Sequence, residues 1–105
     1  MPDFTYEELM SLKLKQRFDE RTWLWDDHYT LLTFQEVIDL FRLLNREFPR
    51  VINAERRVGL YIELKDYSWN IEYAGYNTAD VMQRILNENG LGTVAECIDD
   101  IPIIV

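Results

Sequence analysis

The sequence predicts an α/β fold, and three observations carry that reading. Residues 58–65, Val58-Gly59-Leu60-Tyr61-Ile62-Glu63-Leu64-Lys65, place Val58, Leu60, Ile62 and Leu64 on one face at period 2. A helix-period segment follows, with Val81, Met82, Ile85 and Leu86 inward. The apolar run Ile101-Pro102-Ile103-Ile104-Val105 then reads as a last strand. Strand, helix, strand is a βαβ unit, which requires a parallel neighbour and a right-handed crossover.

Taken in order, the elements begin at Thr5-Tyr6-Glu7-Glu8. Thr5 caps a helix start and Glu8 reaches back to it, a capping box. Leu9, Leu12 and Gln16 follow on one face, so this helix is short. Residues 19–30 mix Asp19, Glu20, Asp26 and Asp27 with Trp23, Trp25 and Tyr29 without period, which predicts an irregular loop. Thr33-Phe34-Gln35-Glu36 is a second capping box. Val37, Leu40, Phe41, Leu44 and Phe48 continue it as one helical stripe, and Pro49 stops it. Arg50 to Arg57 reads as a connection, with Arg56-Arg57 in solvent. After the strand and a polar, aromatic stretch, Asn77 or Thr78 starts the helix over 79–89, and Asn89-Gly90 ends it. Asp99-Asp100 reads as a solvated acidic turn.

Composition narrows the function. The 105 residues suffice for one small domain. They carry 11 Lys+Arg against 19 Asp+Glu, a net charge of −8, with lysine only at 13, 15 and 65. That balance argues against a nucleic-acid binder and against a polybasic membrane anchor. No apolar run approaches the length of a spanning helix, and Met1-Pro2-Asp3-Phe4, with neither a basic region nor an apolar core, does not read as a signal peptide. The lone cysteine, Cys97, excludes an internal disulfide and reads as a passive residue in or near a core. The lone histidine, His28, limits histidine acid/base chemistry to one group and reads as a loop residue.

Two strands do not make a stable parallel sheet, so the chain is expected to be a piece of a larger α/β protein or to complete itself by association. Within it, Glu63 and Lys65 are the informative pair. They share a face at the end of the strongest strand, about 6.5–7 Å apart along it. A hard carboxylate oxygen suits magnesium or calcium, and an ammonium beside it suits the phosphate such an ion binds. The plainer reading is a strand emerging into solvent. In barrels and doubly wound sheets, however, sites are built at the carboxyl ends of strands.

Residues 58–65 resemble the third-strand signature of the glycerophosphodiester phosphodiesterase family, an apolar–Glu–(Ile/Leu)–Lys run after a glycine. Asp3-Phe4-Thr5 with Glu8-Leu9 is similar to the family's stretch before its second helix. Leu32-Thr33-Phe34-Gln35-Glu36-Val37 is similar to its Pro-Thr-(Leu/Phe)-x-Glu helix start. Ile103-Ile104-Val105 lies where its fourth strand begins. The resemblance implies a (β/α)8 TIM barrel of the phospholipase-C-like phosphodiesterase type, of which residues 1–105 are a part, from the second-helix region to the start of the fourth strand. A barrel takes ~250 residues, so the chain is expected to be truncated and inactive alone.

The activity implied is hydrolysis of small-molecule glycerophosphodiesters to an alcohol and glycerol 3-phosphate, in lipid and glycerol metabolism. A divalent magnesium or calcium ion held by three carboxylates supports it, and two histidines supply acid/base chemistry. By match of position, Glu63 is a metal ligand and Lys65 binds phosphate. The family's histidines and its other carboxylates fall in motifs expected upstream of Met1, and His28 matches neither histidine. Tyr67 and Trp69, directly after the strand, are candidates to line the substrate pocket or to pack in a loop. Trp23, Trp25 and Tyr29 fit stacking on a ligand or, more simply, packing of their loop over the barrel. The alternative function is a non-catalytic α/β binding or assembly module derived from the same fold.

Overall fold

Thr5 starts the first helix by the reciprocal bonding its spacing predicts. Its Oγ1 accepts from Glu8 N at 3.2 Å, and Glu8 Oε2 accepts from Thr5 N at 2.7 Å. Hydrogen bonding of Thr5 to the Glu8 carboxylate, from the backbone first and then the side chain, holds that carboxyl below its ordinary range. Helix α1 spans Tyr6–Ser11. The computed structural model describes residues 3–47 and 57–105. It divides into two units, Met1–Thr33 and Phe34–Val105.

In the first unit, residues 19–30 are irregular, as their lack of period predicts, whereas Leu12 and Gln16, expected on the helix face, lie beyond its last residue, Ser11. Backbone bonds still tie its two ends together. Leu14 N donates to Tyr29 O at 2.8 Å, and Asp27 N donates to Leu14 O at 3.0 Å. Trp23, Trp25 and Tyr29 are all exposed within it.

The second unit opens with helix α2, Phe34–Glu47, immediately after Thr33. Its inward face differs from the expected stripe. Ile38, absent from that stripe, is fully buried, whereas Leu40 is 40% exposed. Phe34, Val37 and Phe41 pack beside Ile38. Val37, Ile38, Leu40, Phe41, Leu43 and Leu44 cover more than half of the helix circumference, so apolar spacing alone leaves the facing direction open. Arg42 and Asn45, four and seven residues after Ile38, fix it by bonding inward. Phe48, Pro49 and the connection as far as Arg56 lie outside the described residues.

Asn45 serves the backbone of the following segment. Its Oδ1 accepts from Val58 N at 2.8 Å and its Nδ2 donates to Val58 O at 3.1 Å. Strand β1, Leu60–Tyr61, comes next. The expected alternation holds from 58 to 65. Val58, Leu60, Ile62 and Leu64 are buried or half-buried, and Gly59, Tyr61, Glu63 and Lys65 are exposed. The paired strand is shorter than the predicted 58–64.

Helix α3, Tyr67–Glu72, occupies the stretch read as an aromatic loop. Helix α4, Thr78–Glu88, starts at the expected cap, where Asn77 Oδ1 accepts from Ala79 N at 2.9 Å and Asp80 N at 3.4 Å. It ends at Asn89, followed by Gly90 at φ +66°. Leu86 points into the core, but Val81, expected inward, is exposed. It lines an open apolar groove with Phe34, Ile62, Leu64, Met82 and Ile85, and no described residue covers it. Helix α5, Val94–Asp99, lies between α4 and the last strand, where the sequence reading places no element. Thr93 and Glu96 form its capping box. Strand β2, Ile103–Ile104, completes the unit.

The two strands pair in parallel, Leu60 opposite Ile103 and Tyr61 opposite Ile104. Leu60 N donates to Pro102 O and Ile62 N to Ile104 O, each at 2.8 Å. This partner runs beside β1 for only two residues, which limits the ladder's length. A Cβ at Gly59 would stand 2.6 Å from Pro102 O, so the strands approach this closely only with glycine there. The expected crossover thus contains α3, α4 and α5 rather than one helix. The core gathers Ile38, Leu60, Leu86, Leu91 and Ile101, from both strand regions and from α2 and α4.

Arg42 holds this arrangement from α2. Its Nε donates to Asp100 Oδ2 at 2.8 Å, and its Nη1 and Nη2 donate to Asn89 Oδ1 at 3.1 Å and Asn89 O at 2.6 Å. Arg57 Nη1 adds a bond to Asp100 O at 3.2 Å. Asp100 is therefore a paired residue and not part of a solvated turn. Arg42→Ala should destabilise the fold by about 2 kcal/mol, because it strands a carboxylate and a helix-end carbonyl in a half-buried site. Arg42 and Asp100 are each 35% exposed, which keeps the loss below that of a fully buried pair. Arg42→Lys should rescue little, since an ammonium cannot reproduce the guanidinium fork. Denaturant unfolding measures both, and a loss under ~0.5 kcal/mol for Arg42→Ala would reduce the cluster to an ordinary surface pair.

Candidate functional site

The pleat of the strand segment brings the two sequence-predicted site residues together. Glu63 and Lys65 lie two residues apart on the exposed face just past β1, with Lys65 Nζ 3.8 Å from Glu63 Oε2. Their side chains are 66% and 73% exposed. An exposed pair of this kind adds ~0–1 kcal/mol to stability, so folding places little demand on either residue. Both are free to meet a ligand.

The donor set is narrow. Glu63 offers one carboxylate, while magnesium or calcium takes six or more oxygens. Among the described residues, no three His, Cys, Asp or Glu side chains gather as a metal site. The described residues therefore do not by themselves fit a divalent ion.

Tyr67 and Trp69 stand on α3 rather than in a loop, both partly exposed. Trp69 packs against Tyr73, with ring centroids 5.8 Å apart. His28 belongs to the first unit. It is exposed, and its Nδ1 donates to the Asp26 carbonyl at 2.8 Å. Trp25 lies edge-on to it at 5.9 Å and 6.1 Å from Tyr29. Cys97 is half-buried and packs against the core, with its Sγ donating to Leu91 O at 3.2 Å. Burial pushes its thiol up, reinforced by Glu96 and Asp100, so it is a poor nucleophile.

Two residues beside the pair escaped sequence reasoning. Asp66, directly after Lys65, takes the left-handed conformation at φ 53°, ψ 32°. Asn70, 8% exposed, is the buried polar residue among those described. Its Nδ2 donates to Lys65 O at 3.3 Å, and its Oδ1 accepts from Tyr76 Oη at 3.3 Å. Asp after a strand carries a weak signal for such a turn, since Asp tolerates the left-handed region. Asn70 carries no signal of its own, because both partners depend on the path of the backbone.

Among the described residues, no helix is long and apolar enough to cross a membrane. No family model matches the chain, and no solved structure matches it.

Proposed function

We propose that this chain contributes the Glu63–Lys65 portion of a phosphodiester-hydrolysing centre of the glycerophosphodiester phosphodiesterase type, within a (β/α)8 barrel. The observation that carries the reading is the pair itself, a carboxylate and an ammonium on one exposed face at the carboxyl end of a parallel strand. Sites in α/β folds are built at that end. Lys65 presents a positive charge to a phosphoryl group and would stabilise negative charge that develops on its oxygens. Glu63 offers one ligand to a divalent magnesium or calcium ion. The remaining ligands and the acid/base groups would come from residues other than those described. The substrate class is small glycerophosphodiesters, cleaved to an alcohol and glycerol 3-phosphate.

The test is turnover of glycerophosphocholine by the full-length protein. Hydrolysis that EDTA abolishes and magnesium or calcium restores is the expected result. Folded protein without turnover on any glycerophosphodiester would overturn the proposal. The second reading, a non-catalytic binding or assembly module, is favoured by a different observation. Val94, Ile98, Ile104 and Val105 are all exposed, which leaves apolar surface on the second unit.

A further inference from the structure

We infer that Asn70 is a positioning residue for Lys65, acting through the left-handed turn at Asp66. The inference rests on the hydrolase reading for its kinetic consequence, but the geometry stands apart from it. The chain leaves the strand segment at Lys65 and reverses at Asp66, whose φ of 53° lies in the left-handed region that few residues other than glycine, Asn and Asp adopt. The restraint is on both sides of the turn. Asn70 N donates to Asp66 O at 2.9 Å, and Asn70 Nδ2 donates to Lys65 O. Asn70 is itself held, since Tyr76 Oη donates to its Oδ1 and Tyr76 N donates to its carbonyl at 3.3 Å.

A buried residue whose two N–H donors, backbone and side chain, both reach one turn restrains that turn's backbone. The Lys65 carbonyl is the last backbone group before the turn. Holding that carbonyl helps fix the Lys65 Cα–Cβ direction, from which the side chain starts on the strand face. Asp66 bears the unfavourable conformation and Asn70 holds it in place. The phosphate-directed ammonium thereby starts from a defined base rather than from a loose strand end.

The test is Asn70→Asp in the full-length protein, which keeps size and the acceptor for Tyr76 but removes the donor to Lys65 O. The first measurement is the rate of Lys65 Nζ acylation by a water-soluble succinimidyl ester, read by mass spectrometry. Lys13 and Lys15 serve as internal references. Lys65 reactivity should change several-fold while the two references do not. The second measurement is hydrolysis of glycerophosphocholine. There kcat should fall by up to ~10²-fold with KM little changed, and the loss should vanish in a Lys65→Ala background. If Asn70→Asp does not fold, Asp66→Gly carries the test, because glycine accepts this φ and frees the turn. It should shift Lys65 reactivity in the same way. Unchanged Lys65 reactivity, or losses that add in the double variant, overturn the positioning role. Wild-type hydrolysis by Lys65→Ala alone would instead overturn the hydrolase reading, and the reactivity measurement would still decide Asn70.

Discussion

Glu63→Gln in the full-length protein should lower phosphodiester hydrolysis by orders of magnitude and weaken metal affinity, with part of the activity returning at high metal concentration. The substitution keeps the size of the side chain and removes its charge. A divalent cation prefers carboxylate oxygen to the neutral amide oxygen, so the loss appears first as a higher metal requirement. Folding should be spared, because Glu63 lies on the exposed face opposite Leu60 and Ile62. The same change also releases Lys65 from its partner 3.8 Å away. The two effects separate cleanly in a metal titration. A ligand lost from the ion moves the titration midpoint, whereas a lysine merely displaced lowers turnover at every metal concentration. Near wild-type turnover with an unmoved midpoint would remove Glu63 from the site.

The pair was legible in the sequence because period 2 needs no tertiary information. Residues i and i+2 of an extended strand share a face wherever that strand goes. The caps of α4 were legible for a similar reason, since Asn77 and Gly90 act on backbone groups within a few residues. Helix α5 carries an equally local signal. Thr93-Val94-Ala95-Glu96 has the same spacing as Thr5-Tyr6-Glu7-Glu8, and both form the same reciprocal bonds.

Other features depend on partners far along the chain. The face of α2 turns on Arg42, which bonds Asp100 across 58 positions and Asn89 across 47. No local rule distinguishes Ile38 from Leu40 without that contact. Helix α3 is a different case. Tyr67, Ser68, Trp69 and Asn70 have middling helix propensity, and Asp66 makes no side-chain cap bond. The backbone reversal at Asp66 starts that helix, and Asn70 braces it. The support for Lys65 was therefore hidden, while Lys65 itself stood in plain view.

Lys65→Ala should reduce turnover by ~10²–10³-fold while leaving metal affinity nearly intact. An ammonium on a phosphoryl oxygen is most valuable where charge accumulates, so the loss should fall mainly on kcat, with KM changing less. That division distinguishes Lys65 from Glu63, whose loss should follow the metal titration. Stability should change by no more than ~0.5 kcal/mol, because Lys65 is largely exposed and its one ion pair is long. Steady-state kinetics across a metal series, with thermal unfolding in parallel, reads all three quantities. A rise in KM alone would make Lys65 a ground-state contact, which binds substrate without lowering the barrier. Unchanged kinetics in a normally folded variant, together with an unmoved metal midpoint for Glu63→Gln, would leave the two residues as an ordinary strand end in solvent. The exposed apolar surface of the second unit would then be the better guide to function, because folding does not account for it.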